Sequence, residues 1–253
     1  GMGGFRYNNM SPADLHKQNR VIQENSKIPA LIAANIEAGG DGGVGGGTHF
    51  GHHVTIGATQ DKENAYKLGY YGCKEAAAIG CNWTFAPIVD INKNWRNCVV
   101  SSRCFSSEAQ QVLDMSKEYL RGAKDAGLAS CMKHFPGDGL DERDQHIVTT
   151  NNDMSVEEWE ENFGNVYRGM IDAGVEAVMI GHIRLPEMSR KLRPGIKDNE
   201  IMPATIAPEL LQDLLRDELG FNGLVITDAT HMVGLTSAMR RAEIMPYTIA
   251  AGC

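Results

Sequence analysis

Polar side chains that could act on a substrate follow five apolar runs of this sequence, each at the C-terminal end of its run. They are, in chain order, Asn35 with Glu37, Asp90, Lys133 with His134, His182 and Asp228. A single residue of this kind is typical of a loop or a helix cap. Five in succession favour a convergent site, because the C-terminal ends of parallel strands meet at one edge of a sheet or barrel.

The loop that begins at Lys133 carries the clearest chemical signal. It starts Lys-His-Phe-Pro-Gly, and its proline and two glycines predict defined turns and a segment able to swing over a site. Further along, Asp144 and His146 are separated by one residue. A carboxylate that holds one nitrogen of an imidazole raises the basicity of the other, which is what a general acid/base requires. The alternative for this pair is a solvated loop contact.

Six strand patterns position these residues, and helical patterns separate them. The strands are predicted at residues 3–7, 28–35, 82–90, 129–135, 175–182 and 222–228. Helices are predicted from Ser11-Pro12, over roughly 61–79 and 107–125, after a capping box at Ser155–Glu158, and from Ala207-Pro208. Strict alternation of strand and helix predicts a parallel sheet, as in a doubly wound fold or a TIM-type (β/α)8 barrel. Six strands are too few for a closed barrel, so we expect one incomplete at both ends.

Composition narrows the classes of partner. The length of 253 residues suits one large α/β domain or two small ones, and 42% apolar and 22% charged residues allow a sizeable core; we expect a single domain over residues 1–253. A net charge of −8 argues against nucleic acid and anionic membranes as partners. Six scattered cysteines without a CxxC pair predict reduced thiols and a cytoplasmic location. We predict no cofactor and no metal, because His49, His52 and His53 lack carboxylates at ligand spacing and fit ordinary loop residues better.

Several motifs now occur in a characteristic order. They are Ile28–Gly40, Phe85–Asp90, Ser102–Phe105, the Lys-His-Phe-Pro-Gly and Asp-x-His segments, Pro203–Thr205 and Gly220–Asp228. In this order they resemble glycoside hydrolase family 3, and within it the single-domain bacterial β-N-acetylglucosaminidases. The resemblance covers essentially the whole chain. It implies the TIM-type barrel rather than the doubly wound sheet.

The resemblance also implies a role for each motif residue. Asp228 would attack the anomeric carbon and form a covalent glycosyl-enzyme, while His146, oriented by Asp144, would protonate the leaving oxygen and later activate the acceptor. The residues that would bind the sugar or line its pocket are Asn35, Arg103, Lys133, His134 and Met232. For His182, substrate binding and a satisfied histidine in the core are equally open.

Three positions depart from the family pattern. Asn35 stands where the family usually has Asp, Asp138 where it has His, and Gln145 where it has Ser. Asn35 can still bond a hydroxyl but carries no charge, which bears on the sugar preference. Asp138 adds a carboxylate beside the catalytic loop, where it could alter the protonation of His146 or exclude an anionic substrate group.

The predicted reaction is retaining cleavage of a β-linked N-acetylglucosamine from a small carbohydrate, as in cell-wall recycling. A retaining enzyme ordinarily pairs two carboxyls about 5 Å apart, whereas a histidine, with an ordinary pKa near ~6.5, adds no second negative charge. An anionic acceptor would then be less repelled, so phosphorolysis is the runner-up. A β-glucosidase or β-xylosidase is a further alternative. An inactive sugar-binding protein would require Asp228 or His146 to be missing, and both are present.

Overall fold

The computed structural model describes residues 3–253, and a parallel sheet forms its centre. The strands are β1 (Gly4–Arg6), β2 (Leu31–Ala34), β3 (Trp83–Thr84), β4 (Ala129–Phe135), β5 (Thr150–Asn151), β6 (Ala177–Ile180), β7 (Ile183–Arg184) and β8 (Leu224–Thr227). Six of them pair in the order β1-β2-β3-β4-β6-β8, always parallel, while β5 and β7 form a separate short pair. All six predicted strands are confirmed, and their C-terminal ends share one edge.

The third strand is much shorter than the predicted residues 82–90. Proline at position 87 has no N–H to donate, which interrupts the ladder after Thr84. Contact with β4 nevertheless continues, because the Ala86 and Pro87 carbonyls accept from the Cys131 and Lys133 N–H groups at 3.1 and 3.3 Å, and the Val89 N–H donates to the Lys133 carbonyl at 2.9 Å. The backbone therefore stays beside β4 up to Asp90, which is what delivers that carboxylate to the edge.

Among the described residues, helices form at all five places where the sequence predicts them, and four further α-helices were not predicted. The helices are α1 (Pro12–Glu24), α2 (His53–Ala58), α3 (Lys62–Ala77), α4 (Ala109–Asp125), α5 (Val156–Trp159) continued by a π-helical turn (Glu160–Gly164) into α6 (Asn165–Asp172), α7 (Pro186–Leu192), a π-helix (Glu209–Glu218), α8 (Val233–Thr236) and α9 (Arg241–Ala251). The predicted capping box is present, with Ser155 accepting from the Glu158 N–H and the Glu158 carboxylate accepting from the Ser155 N–H. This cap fixes the start of the helix that packs beneath the loop after β4.

Glycines allow α3 and α4 to pack closely. A Cβ at Gly69 would lie 2.3 Å from the Tyr119 carbonyl oxygen, and one at Gly122 would lie 2.3 Å from the Tyr66 carbonyl oxygen. The close approach buries Tyr119, whose hydroxyl donates to the Ile36 carbonyl at 2.5 Å. Helix packing thus fixes the backbone immediately before Glu37, at the mouth of the sheet.

Closure into an eight-stranded barrel stays a prediction, because the described residues form a six-stranded sheet with β1 and β8 at its ends. All six cysteines are free, and four of them are buried. Within residues 3–253, no helix is both long and apolar enough to cross a bilayer.

Candidate active site

A cavity of about 390 Å³ opens at the edge where the parallel strands end. Its walls come from β1, the loops after β2 to β4, β6 and the segment after β8, so distant parts of the sequence converge there. The lining residues are Arg6, Asn35, Phe85, Val99, Arg103, Lys133, His134, Gln145, His146, Met179, Thr227, Asp228, Ala229 and His231. Six of the nine predicted site residues are among them, which supports the expectation of a convergent site.

Asp228 lies directly after β8 and is the only carboxylate among the described residues that line the cavity. Its backbone N–H donates to the Ile180 carbonyl at 2.9 Å, so the β6–β8 ladder sets its position. One carboxylate oxygen accepts from the Ala229 N–H at 2.7 Å, and the other lies 4.0 Å from His134 Nε2. Burial would raise the pKa of Asp228, but the neighbouring His134 and this N–H donor outweigh it and lower the pKa.

His134 reaches the cavity because β4 is irregular at that residue. Consecutive side chains of a regular strand point to opposite faces, yet both Lys133 and His134 line the cavity. The pairing of β4 with β6 shifts register between Lys133 and Phe135, and this bulge turns the histidine inward. Asp90 then holds it, accepting from the His134 backbone N–H at 3.1 Å and from ring Nδ1 at 2.7 Å. Nε2 is therefore left for the cavity.

Lys133 and Arg103 share one buried partner, Glu37. Lys133 Nζ lies 2.6 Å from a Glu37 oxygen, and the Arg103 guanidinium donates to both Glu37 oxygens at 2.9 Å. Burial would raise the pKa of Glu37, but the two cations hold it well below its ordinary value. A buried carboxylate that neutralises two cations stabilises their geometry while their remaining N–H groups can face a ligand.

His146 and Asp144 lie on the outer part of the loop after β4. Asp144 accepts from the His146 backbone N–H at 2.8 Å and from ring Nδ1 at 2.6 Å, as the spacing predicts. Nε2 is the ring nitrogen left for proton transfer. The inner part of the same loop is not free to swing: residues 134–139 are buried, Trp159 donates to the Pro136 carbonyl, and Asn152 donates to the Gly137 carbonyl.

The remaining predicted residues differ in where the structure places them. Asn35 lines the cavity, whereas Met232 is buried beneath its rim and is not among the described lining residues. His182 is fully buried, with Nε2 contacting the Ala229 carbonyl at 3.1 Å and Nδ1 contacting the Thr205 hydroxyl at 2.8 Å. Burial lowers the pKa of His182, so it is neutral and supports the backbone beside Asp228 from below.

Five residues of this region had no assigned role in the sequence. Arg6 and His231 line the cavity, Glu37 and Asp90 hold its basic residues, and Gln145 is buried beside His146. Arg6 ends the first strand, so extending the strand-end argument to β1 would have found it. Because a buried lysine requires a partner, Lys133 predicted a nearby carboxylate such as Glu37. Gln145 was marked only as a departure from the Ser that the family usually has, and no pattern in the sequence marked His231.

The three histidines of the glycine-rich segment do not act together. His49 Nδ1 lies 2.7 Å from Asp41, and its ring meets that of His52 edge-on at 5.8 Å between centroids. His53 is not a loop residue: it begins α2, is fully buried and stacks on Phe105 at 4.1 Å. Of the described residues, no group of three or more His, Cys, Asp or Glu side chains could hold a metal ion.

Relatives of known sequence match this chain over nearly its whole length. A β-N-acetylglucosaminidase/β-glucosidase of Cellulomonas fimi is 46% identical over 252 residues, which are 100% of this chain and 45% of that protein. A β-hexosaminidase of Nitrosomonas eutropha is 30% identical over 98% of this chain and 70% of its own length. The chain thus spans just under half of the first relative.

Solved structures agree with the sequence comparisons. A β-glucoside phosphorylase superposes with a TM-score of 0.97 at 40% identity, over 99% of this chain and 45% of its own. A β-N-acetylglucosaminidase of Paenibacillus sp. has a TM-score of 0.89 at 31% identity, over 99% of this chain and 48% of its own. The model of the glycosyl hydrolase family 3 N-terminal domain matches residues 6–253, and the chain therefore belongs to glycoside hydrolase family 3.

Proposed function

We propose that the chain carries the active site of a retaining β-glycosidase, with Asp228 as the nucleophile and His146, oriented by Asp144, as the acid/base. One observation carries the proposal: the single lining carboxylate and a carboxylate-held imidazole border the same cavity. Glycoside cleavage passes through an oxocarbenium-like state, which a nearby carboxylate stabilises and then traps. The covalent step and the acid/base step thus each have one suitable group.

The state of Asp228 suits a nucleophile. Its lowered pKa keeps the carboxylate ionised at neutral pH, and the Ala229 N–H occupies one oxygen. The second oxygen faces His134 at 4.0 Å, a distance that favours the anion while leaving that oxygen without a close donor. A sugar bound in the cavity would meet this oxygen first.

The substrate we propose is a β-linked N-acetylglucosaminide, because the names of the relatives centre on that activity. Arg103, Lys133, His134 and Asn35 supply the donors that would bind its hydroxyls. A β-glucoside is the alternative, since one relative is named for both activities. The cytoplasmic location remains a prediction from the cysteine usage.

Phosphorolysis is a second candidate, and the charge of the cavity favours it. Three cations, Arg6, Arg103 and Lys133, line the cavity together with three histidines. The carboxylates of Asp228 and of Glu37, which pairs with Arg103 and Lys133, balance two of these three charges. Such a wall attracts an anionic acceptor, and a histidine acid/base would not repel it. A relative of high structural similarity is named as a β-glucoside phosphorylase.

The test compares turnover of aryl β-N-acetylglucosaminide and aryl β-glucoside, each with and without inorganic phosphate. Release of the β-anomer of the sugar supports retention, and a sugar 1-phosphate formed only with phosphate identifies phosphorolysis.

Asp228→Asn should lower activity by at least about 10³-fold, whereas Asp213→Asn, at an exposed position, should not change it. A 2-deoxy-2-fluoro glycosyl fluoride should label a peptide that contains Asp228. Full activity of Asp228→Asn would sink the mechanism, and no turnover of any glycoside would favour a sugar-binding protein.

A further inference from the structure

Gln145 is buried directly beside the exposed His146, and both of its amide atoms have fixed partners. Its Nε2 donates to Asp138 Oδ2 at 3.2 Å, and its Oε1 accepts from the His182 backbone N–H at 2.8 Å. The side chain therefore bridges the loop after β4 and the end of β6. Because a carboxylate only accepts and a backbone N–H only donates, one orientation of the amide satisfies both ends.

Asp138 is in turn held at several points. Its Oδ1 accepts from Asn97 Nδ2 at 2.8 Å and from the Gly139 N–H at 2.6 Å, and its own N–H donates to Asp90 at 2.8 Å. Asp90 is the carboxylate that also holds the ring of His134. Hydrogen bonds thus connect His134, which lines the cavity, through Asp90 and Asp138 to Gln145, the residue that precedes His146.

The loop around Gln145 also packs on the segment that follows Asp228. The Gln145 carbonyl accepts from the Gly234 N–H at 3.1 Å, and the His146 carbonyl accepts from the Val233 N–H at 2.9 Å. A Cβ at Gly234 would lie 2.4 Å from the Gln145 carbonyl oxygen, so the two backbones are in direct contact. The amide of Gln145 is the buried side-chain anchor within this otherwise exposed stretch.

We propose that Asp138 and Gln145 form a positioning pair that holds the loop carrying His146 and Asp144 in place relative to Asp228. The pair depends on which group donates: the Gln145 amide donates and the Asp138 carboxylate accepts. The proposal rests on the proposed function, since it assigns the pair the task of placing His146. Within residues 3–253, the side-chain hydrogen bonds of His146 and Asp144 are to each other. Their position relative to Asp228 is therefore set by the backbone that Gln145 anchors.

Exchanging the two functional groups tests the pair. Asp138→Asn alone places an amide nitrogen against the Gln145 amide nitrogen, and Gln145→Glu alone places two carboxylates face to face. The double variant Asp138→Asn/Gln145→Glu restores the order, because the amide at position 138 donates to the carboxylate at position 145, which still accepts from the His182 N–H. Gln111→Glu is the matched control: it makes the same change in a half-buried glutamine whose bonds, to Gly57 and Ser106, lie away from the cavity.

The readout is how kcat/KM depends on the leaving group of aryl glycosides. A displaced general acid slows cleavage of poor leaving groups, which need a proton, and spares activated ones, which do not. We expect each single variant to lose about 10²-fold with a poor leaving group and little with a dinitrophenyl glycoside. The double variant should recover most of that loss, and Gln111→Glu should match the parent. With the dinitrophenyl glycoside, breakdown of the glycosyl-enzyme should limit kcat, and azide, which attacks without a general base, should partly restore the kcat of the single variants.

The outcomes separate the pair from the proposed function. Equal losses across all leaving groups would mean a general structural role and would overturn the pair, as would a double variant no better than the worse single one. If a single variant does not fold, a folded double variant with the parental leaving-group dependence supports the pair, and a steeper dependence overturns it. No turnover by the parent would overturn the proposed function itself.

Discussion

His53 should make the stability of this domain sensitive to acid. Its side chain is fully buried, stacks flat on Phe105 with an interplanar angle of 2°, and neither ring nitrogen has a hydrogen-bond partner within residues 3–253. Burial lowers the pKa of His53 from 6.5 to about 3, and the cations Lys133 and Arg103 add to this although Glu37 opposes it. The folded protein therefore holds this ring neutral.

The size of the effect follows from proton linkage. A histidine with a lowered pKa contributes its full stability above the unfolded value of 6.5, and the contribution is lost as pH falls toward about 3. Each pH unit in that window costs about 1.4 kcal/mol, so acidification to about pH 4.5 removes about 3 kcal/mol through this one group. That is a large part of the stability of an ordinary domain.

The assay is urea unfolding of the parent and of His53→Phe and His53→Leu across this pH range. Other groups titrate in the same window, so the quantity to compare is the difference in slope of unfolding free energy against pH. In both variants, the slope of the unfolding free energy against pH should be smaller by the contribution of about one proton. Altered packing changes the free energy itself by a constant amount, but it does not change this slope. Ile56→Val, a nearby change without a titratable group, should shift stability and keep the parental slope. Parental slopes in both His53 variants would refute the buried neutral histidine.

Three further changes should give distinct results. Glu37→Gln leaves buried Lys133 without its counter-charge and should cost about 3 kcal/mol in urea unfolding, together with a raised KM. Asp144→Asn frees the ring of His146, so kcat/KM with poor leaving groups should fall by at least about tenfold while the melting temperature hardly changes, since the pair is partly exposed. Gly234→Ala should lower the melting temperature, because its Cβ would overlap a carbonyl 2.4 Å away; an unchanged melting temperature would show that the loop yields there.

The parallel architecture was predictable because it depends on patterns that repeat along the sequence. Alternating apolar runs and capped helical stripes predict six strands and the helices between them, and the strand-end rule places Asn35, Lys133 and Asp228 at one edge. The boundaries were less accurate. Residues 82–90 read as one strand by composition, but the proline at position 87 limits the ladder, and periodicity alone does not register a missing N–H.

What the sequence could not supply is the set of contacts that depend on where side chains point. His134 follows Lys133, and strict alternation would send one of them away from the cavity; only the shifted register of β4 against β6 brings both in. Gln145 is a residue type that is common in loops. Its importance comes from burial and from two partners, Asp138 and the His182 backbone, that lie in other segments.

These two groups of contacts bear on the reaction in different ways. The bulge and Asp90 hold His134 beside Asp228, and the β6–β8 ladder holds Asp228 itself, so the position of the proposed nucleophile depends on the sheet. His146 stands on an exposed loop, which is held by backbone bonds to Val233 and Gly234 and by the buried amide of Gln145. If the proposed roles hold, substitutions at that anchor should slow cleavage of poor leaving groups, which need a proton, and spare activated ones. Substitutions in the sheet should slow cleavage of both.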